Sequence, residues 1–270
     1  MKTFTGGFVY THPGSSGTPD DIRAANERED TFFLMQPHYP DKSYLENIKP
    51  FHRAPSHWCD YTGYYGVQAL RSTFDFITGY SKDMPASKWL QRFLFLETVA
   101  GVPGMVGGGI RHFRSLRTMK RDKNWIRSLL EEAENERCHL LTFMELAQPG
   151  LAFRSAVIGT QGIFLALYTM FYVVSPRHCH AFVSYLEEEA VKTYSTCIDQ
   201  LDAGKIPEWE NIQIPDIARK YWGLGTNGTM RDLLLAIKGD EMCHNVVNRE
   251  FAHMSQTDAN PFAPGTAIVA

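Results

Sequence analysis

Four glutamates occupy positions where a buried helix face would ordinarily carry an apolar residue, and two of them begin a Glu-x-x-His motif. In chain order these residues are Glu97, Glu136 with His139, Glu187, and Glu241 with His244. One glutamate from each of two helices and one Glu-x-x-His from each of two others is the ligand set of a carboxylate-bridged di-metal site in a four-helix bundle. Carboxylate oxygens with a few imidazoles suit iron or manganese, and oxygen chemistry favours iron. The pattern predicts a redox metalloenzyme.

The predicted helix that carries Glu136 shows why these carboxylates are unusual. Its other stripe positions, at helical spacing, are Ile126, Leu129, Ala133, Leu140 and Phe143. Glu97, Glu187 and Glu241 interrupt apolar stripes in the same way. A lone buried carboxylate costs several kcal/mol or takes up a proton. Because four such groups in one core would repel each other, bound cations are the natural compensation.

A third Glu-x-x-His motif, Glu250 with His253, provides a contrast. It begins nine residues after Glu241, and nine helical residues at about 100° each place it half a turn out of phase. We therefore predict that this motif lies on the surface, away from the metal site.

The elements that must position these residues are long helices. Periodicity predicts helices at about 61–79, 87–118, 122–146, 152–174, 177–203 and 229–253. Asp122 or Asn124 is expected to cap the third helix, and Thr229 with Asp232 resembles a capping box opening the last. We expect an all-α, ferritin-like four-helix bundle with additional helices. The predicted division is an irregular N-terminal arm at 1–56, a di-iron bundle domain at 57–254 and a C-terminal tail at 255–270.

Composition excludes several classes of protein. The 270 residues carry a net charge of −3, which gives no reason to expect a nucleic-acid partner. The five cysteines form no Cys-x-x-Cys pair, so a disulfide framework or zinc site is not expected. The first residues match neither a signal peptide nor an Arg-rich transit peptide.

Two apolar stretches raise the question of a membrane. Residues 155–174 carry no charge and are long enough to cross a bilayer, and residues 93–110 form a second apolar stretch. Crossing by residues 155–174 alone, or by both stretches, would place some of the four glutamates on opposite sides of the membrane. Arg111, Arg114 and Arg117 then recur at helical spacing, as on a helix that lies on an anionic membrane surface. We therefore predict monotopic association with one leaflet.

Four sequence blocks resemble the signature blocks of the alternative oxidases, which are di-iron ubiquinol oxidases of the mitochondrial inner membrane with relatives in some bacteria. The blocks are Arg92-Phe-Leu-Phe-Leu-Glu97-Thr, Asn135-Glu136-Arg-Cys-His139-Leu, Leu186-Glu187-Glu-Glu-Ala and Asp240-Glu241-Met-Cys-His244. The resemblance covers about residues 58–254. Its most specific part is the run Phe93-Leu-Phe-Leu-Glu-Thr-Val-Ala-Gly-Val-Pro-Gly-Met-Val-Gly-Gly. The spacing between the last two blocks favours the mitochondrial type over the plastid terminal oxidases.

The resemblance implies roles for particular residues. The four glutamates would ligate two non-haem iron ions, with His139 and His244 as ligands or close hydrogen-bond partners. Tyr194 would be a catalytic tyrosine that donates an electron and a proton. The implied quinol pocket consists of Arg92, Leu96, Glu189, Thr193, Arg71 and Asp75. Taken alone, Arg71 and Asp75 also fit an ordinary i,i+4 salt bridge on a helix surface.

The implied activity is cyanide-insensitive oxidation of two ubiquinols with reduction of O2 to water and without proton pumping. The resemblance also implies a homodimer on the matrix side of the mitochondrial inner membrane, or on the cytoplasmic membrane of a bacterium. The alternative enzyme is a di-iron quinone-ring hydroxylase of ubiquinone biosynthesis. An iron-storage bundle and a structural membrane protein remain as non-enzyme alternatives.

Overall fold

The secondary structure of residues 42–262, the part of the chain that the computed structural model describes, is helical and contains no strand. The helices are α1 (Lys42–Asn47), α2 (Trp58–Thr78), α3 (Ala86–Ala100), α4 (Val102–Thr118), α5 (Trp125–Leu146), α6 (Leu151–Val174), α7 (Pro176–Asp202), α8 (Asp216–Tyr221) and α9 (Met230–His253), with a short 3-10 helix at Pro207–Trp209. The predicted all-α helical bundle is confirmed.

Four long helices, α3, α5, α7 and α9, surround the polar centre of the molecule. The most extensive packing is between α7 and α9, while α3 packs against α5 and α2 lies along α7. Beside the polar centre, the core is a stack of aromatic rings. Phe93 lies between Phe143 and Tyr194, with ring centroids 5.1 and 4.5 Å away. This packing fixes α3 against α5 and α7.

The long helix predicted at 87–118 is two helices, because the chain breaks at Gly101 between α3 and α4. Pro103 is the second residue of α4, where its missing amide hydrogen is tolerated but an uninterrupted helix is not. The predicted caps at the starts of α5 and α9 are present. Asp122 Oδ2 accepts from the backbone amide of Ile126 at 2.7 Å, and Thr229 with Asp232 forms a capping box.

The predicted N-terminal arm lies mainly outside the described residues, which begin at Lys42. Its described part differs from the prediction at Lys42–Asn47, which form the helix α1 instead of an irregular segment. This part also binds the bundle of its own chain. Lys238 Nζ donates to the carbonyl oxygen of Ile48 at 3.0 Å, and His52 Nδ1 lies 2.7 Å from Glu188 Oε1.

One side of the molecule presents a large apolar surface. The stretches long and apolar enough to cross a membrane are Ala86–Thr118, which is half buried in the bundle, and Leu151–Val174, of which only 11% is buried. Phe95 of α3 stacks on Phe74 of α2 and meets Phe153 of α6 edge-on, so α2 and α6 flank the same part of α3. Both flanking helices expose large apolar side chains. Those of α2 include Trp58, Tyr65, Phe76 and Ile77, and those of α6 include Leu151, Ile158, Ile163, Val173 and Val174.

The basic stripe predicted along α4 is wrong at its first residue. Arg111 is buried, donates to Asp122 Oδ1 at 2.8 Å and lies over the ring of Trp125. It ties α4 to the start of α5 and is not available to a membrane surface.

Candidate metal centre

The six predicted ligand residues converge from four helices into one buried site. The ligands are Glu97 on α3, Glu136 and His139 on α5, Glu187 on α7, and Glu241 and His244 on α9. Each is less than 9% exposed. The Glu-x-x-His spacing is what brings each histidine beside its glutamate, because residues three apart lie on one helix face. The sequence prediction of a convergent set therefore agrees with the geometry.

The six side chains form two groups that share two glutamates. One group is Glu97, Glu136, His139 and Glu241, and the other is Glu136, Glu187, Glu241 and His244; within each, one ligand atom per residue lies within 4.8 Å of the others. Glu136 and Glu241 are therefore shared by two adjacent candidate metal positions. Glu97 with His139 completes the first position, and Glu187 with His244 completes the second. This is the arrangement of a carboxylate-bridged pair of metal ions.

Both histidines direct Nδ1 toward the carboxylates. His139 Nδ1 lies 3.1 Å from Glu136 Oε2 and 3.5 Å from Glu97 Oε2. His244 Nδ1 lies 2.8 Å from Glu136 Oε1 and 3.3 Å from Glu241 Oε2. Each Nδ1 is therefore close enough to the carboxylate oxygens beside it for the nitrogen and these oxygens to bind one metal ion together.

The buried polar atoms of the site fit a metal. Among residues 42–262, four of them find no hydrogen-bond partner, although two of the four, Glu136 Oε1 and His244 Nδ1, lie close together; the atoms are Glu97 Oε2, Glu136 Oε1, Glu241 Oε2 and His244 Nδ1. Buried polar groups without partners are rare and costly. Carboxylate oxygens and imidazole nitrogens whose lone pairs converge are satisfied by a divalent or trivalent cation. The residues present therefore suit a pair of iron or manganese ions.

The electrostatics of the site reflect crowded carboxylates in a dry core. Burial raises the pKa of Glu97 to about 8 and raises the pKa of Glu187 well above its usual range, and neighbouring glutamates add to both shifts. Burial acts in the same sense on Glu136, but the adjacent imidazoles of His139 and His244 outweigh it and hold the pKa well below its usual range. Of the four glutamates, Glu136 is thus the one most strongly stabilised as an anion.

Sequence reasoning missed the residues that orient His139. Asp240 Oδ2 lies 3.0 Å from His139 Nε2 and also accepts from Trp222 Nε1 at 2.7 Å and from Asn135 Nδ2 at 3.0 Å. A carboxylate on the far nitrogen fixes the tautomer and raises the basicity of the near one. Asp240 and Asn135 each directly precede a candidate ligand glutamate, and this adjacency could have identified them from the sequence.

Another buried carboxylate near the site, Glu132, was also missed. It lies one turn before Glu136 on the same helix stripe and accepts from Asn248 Nδ2 at 2.7 Å. Burial raises the pKa of Glu132 to about 7.

Tyr194 is placed beside the site as predicted. Its hydroxyl donates to Glu97 Oε1 at 2.6 Å, and its ring stacks on Phe93 within the core. Burial, followed by the nearby glutamates, raises the pKa of Tyr194 well above its usual range. The phenol is therefore held protonated next to a candidate metal ligand.

Five of the six predicted quinol-pocket residues form one polar network. Arg71 Nη1 donates to Glu189 Oε2 at 2.7 Å and to Thr193 Oγ1 at 3.1 Å. Asp75 accepts from Arg71 Nε at 3.2 Å and from Arg92 Nη2 at 2.6 Å. The pair Arg71 and Asp75 is thus more than a surface salt bridge. Leu96, the sixth residue, is half buried.

Arg92 retains free donors within this network. Its Nε and Nη1 are buried and have no hydrogen-bond partner in the described part of the chain. Its guanidinium lies 4.2 Å from the ring centroid of Tyr80 and 5.0 Å from that of Phe74. Since Arg92 is five residues before Glu97, the network lies about 7–8 Å along α3 from the metal ligands.

The out-of-phase motif is separate from the metal centre, as predicted. His253 Nε2 lies 3.1 Å from Asp60 Oδ1, and its ring contacts that of His57, so His253 belongs to a separate cluster with these two residues. Neither Glu250 nor His253 belongs to either group of converging ligands among the described residues.

Comparison with known proteins agrees with this site. The family model described as "Alternative oxidase" matches residues 40–253. The chain belongs to the alternative oxidase family. That span includes the ligand residues and the polar network, and the quinone-ring hydroxylase alternative is not favoured.

Curated relatives named "Alternative oxidase, mitochondrial" are similar over most of the chain. The protein of Emericella nidulans is 49% identical over 78% of this chain and 64% of its own length. That of Blumeria graminis is 47% identical over 84% and 69%, and that of Scheffersomyces stipitis is 42% identical over 92% and 74%. The chain therefore spans roughly two thirds of the length of these relatives.

Proposed function

We propose that this protein is a ubiquinol oxidase that couples the oxidation of two ubiquinols to the four-electron reduction of O2 to two waters. The observation that carries the proposal is the pair of ligand groups sharing Glu136 and Glu241, in a chain of the alternative oxidase family. We further propose two non-haem iron ions as the cofactor. Iron bound by these six residues would supply O2 binding and one-electron redox changes.

The polar network beside α3 is the proposed quinol site. The unpartnered Nε and Nη1 of Arg92 are donors for a quinol oxygen. Arg71 holds Glu189 and Thr193 in place, so that an oxygen of the ring can accept from or donate to fixed partners. Leu96 lies on the same helix between Arg92 and Glu97 and provides an apolar wall. A bound ring would thus be close enough to Glu97 for short-range electron transfer.

Tyr194 is the proposed route for a proton and an electron between the quinol site and the metal ligands. Thr193, its neighbour in the chain, contacts Arg71, while the Tyr194 hydroxyl donates to Glu97 Oε1. One residue pair on α7 therefore touches both sites. Because burial raises the pKa of Tyr194, the phenol would keep its hydroxyl proton until an electron also leaves it for the iron that the ligand residues would hold. Glu97 Oε1, which accepts the hydrogen bond of this hydroxyl, would take that proton.

We propose that the protein associates with one leaflet of a membrane through α2 and α6. Their exposed apolar side chains lie on either side of α3, the helix that carries Arg92 and Leu96. A hydrophobic quinol could therefore enter from the lipid between them. The names of the relatives support a mitochondrial location, and we propose the matrix face of the inner membrane and a homodimer as the native arrangement.

The decisive experiment is oxygen uptake by membranes that contain the expressed protein, with a short-chain ubiquinol as donor and cyanide present. We expect sustained uptake that falls by at least about 100-fold in Glu187→Ala, because the second ligand group loses its terminal carboxylate. Glu250→Ala, in the out-of-phase motif, is the matched control and should retain activity.

Iron content distinguishes a damaged site from a damaged fold. Folded Glu187→Ala should contain less iron per chain than the wild type, whereas Glu250→Ala should not. If iron-loaded wild-type protein consumed no oxygen with ubiquinol, the oxidase proposal would be wrong.

A further inference from the structure

A basic cavity lies at the corner where α4 ends and α5 begins, outside the metal centre and the quinol site. Its volume is about 450 Å³, within the range of small-molecule sites. Its walls are the last turns of α4, residues 120–123 of the connecting turn, and Gln256 and Thr257 after α9. Three separate parts of the chain therefore build it.

The charge of the cavity is strongly unbalanced. Five cationic side chains and one carboxylate line it. The cations are Arg111, Arg114, Lys120, Arg121 and Lys123, and the carboxylate is Asp122. Arg111 already pairs with Asp122, and within residues 42–262 the side chains of Arg114, Lys120 and Arg121 have no ion-pair partner. The remaining field favours an anion.

A buried donor in the same wall is also unsatisfied. Gln256 Oε1 accepts from Arg111 Nη1 at 2.9 Å, which fixes the orientation of the amide. The other amide atom, Gln256 Nε2, is buried and has no hydrogen-bond partner among the described residues. Arg111 is itself held by the Gln256 carbonyl oxygen and by Trp125. The cavity thus has a rigid floor with a free N–H donor and a rim of free cations.

One feature of the corner opposes an anion, but it is weak. The carboxyl end of α4 carries a partial negative charge. The carbonyl oxygens of Ser115 and Leu116 there are already bonded by the backbone amides of Lys120 and Met119, and the surrounding side chains carry several full positive charges. The sum still favours an anion.

We propose that this corner is a binding site for a phosphate group. Phosphate offers several acceptor oxygens to converging Arg, Lys and amide donors, which is the donor set present here. The group could belong to a soluble phosphate compound or to the headgroup of an anionic lipid. The exposed Phe113 and Met119 on the same helix end are compatible with nearby lipid.

The test removes two rim cations without disturbing the floor. The variant combines Arg114→Gln with Lys120→Gln, and the control combines Lys82→Gln with Lys88→Gln, which changes net charge equally at another exposed site. Detergent-solubilised full-length protein is titrated with inorganic pyrophosphate by calorimetry at low salt. A second arm compares flotation with phosphatidylcholine vesicles and with vesicles that also contain phosphatidic acid. Melting temperatures verify that the variants are folded.

In the soluble arm, we expect pyrophosphate to bind wild type and control equally and the rim variant about tenfold more weakly, since two partly exposed cations are lost. If the source is lipid, pyrophosphate binds weakly, but the extra flotation caused by phosphatidic acid disappears in the rim variant alone. Either result supports the site. Equal behaviour of the rim variant and its control in both arms would overturn it. Because neither readout is oxidase activity, the outcome does not depend on the proposed function.

Discussion

At the level of single residues, the two ligand histidines differ in what holds them. His139 is fixed on its far nitrogen by Asp240, which is itself held by Trp222 and Asn135. No equivalent carboxylate contacts the far nitrogen of His244 among the described residues; its Nδ1 meets only Glu136 and Glu241. Of the two candidate metal positions, the one that includes His139 is therefore the more rigid.

Replacing Tyr194 by Phe separates its chemistry from its packing. The variant keeps the ring stacked on Phe93 but loses the hydroxyl that donates to Glu97. We expect oxygen uptake to fall by about 100-fold or more, as for loss of a proton-transferring side chain, with iron content unchanged. Tyr185→Phe, which removes a hydroxyl on the same helix that donates to the backbone carbonyl of Arg53 and not to a ligand, should remain active. Near-normal uptake by Tyr194→Phe would exclude the proposed role.

His180 should contribute to the way in which the free energy of unfolding depends on pH. Burial, aided by the charge of Arg111, lowers the pKa of His180 to about 4, against about 6.5 in an unfolded chain. Between these values the unfolded state binds the proton and the folded state does not, so this contribution is present above about pH 6.5 and is lost as pH falls toward about 4.

The test compares the change in melting temperature between about pH 7.5 and about pH 5 for wild type and His180→Asn. The wild type should lose about 4 °C more than the variant. The comparison uses the change and not the absolute value, because the substitution also removes contacts with Tyr172 and Asn248. Equal losses would show that His180 does not titrate in this window.

At the level of elements, the close contact between α4 and α5 depends on glycine. A Cβ at Gly104 would collide with the backbone carbonyl oxygen of Leu129, whereas one at Gly109 would meet nothing within 4 Å. Since α5 carries Glu136 and His139, this contact helps to set the position of two ligands relative to the rest of the bundle.

Alanine at these two glycines should therefore have opposite effects. Gly104→Ala should lower the free energy of unfolding by about 1–3 kcal/mol through overpacking. Gly109→Ala should raise it by up to about 1 kcal/mol through helix propensity. Thermal or denaturant unfolding of both variants measures the difference. A stable Gly104→Ala protein would mean that α4 and α5 can separate without loss of packing.

Much of the fold and of the centre could be predicted from the sequence, for identifiable reasons. The six ligands were recognisable because each carboxylate interrupts an apolar stripe, and helix periodicity placed the main boundaries within a few residues. The break at Gly101 was not predicted, because the apolar pattern continues across it. Asp240 and Glu132 were missed since an acidic residue in a helix is usually solvated, and only the tertiary structure shows that these two are buried.

At the level of the whole molecule, the exposed apolar side chains of α2 and α6 support the proposed association with a membrane. Only 11% of the most apolar window of Leu151–Val174 is buried, so most side chains of α6 are exposed. Four ligand helices that must meet at one centre cannot be divided across a bilayer. Association in the plane of one leaflet satisfies both facts.

Charges on α6 should therefore release the protein from membranes. We expect Ile158→Glu combined with Ile163→Glu to shift it into the soluble fraction after alkaline extraction, because both side chains are exposed and apolar. Met144→Glu with Asn211→Glu adds the same charge at other exposed positions and should stay bound. If the α6 variant stayed bound as firmly as this control, the exposed apolar side chains of α6 would not be what holds the protein on the membrane.

The ligands are spread from Glu97 to His244, and the last two arrive on α9, the final helix of the bundle. During synthesis on a ribosome, no earlier segment can present a complete ligand group, because both groups require Glu241. For the proposed di-iron site, we therefore expect iron acquisition to be a late event that reports the docking of α9. A chain truncated before α9 would contain the other carboxylates but no complete ligand group. Iron content would therefore measure completed assembly directly.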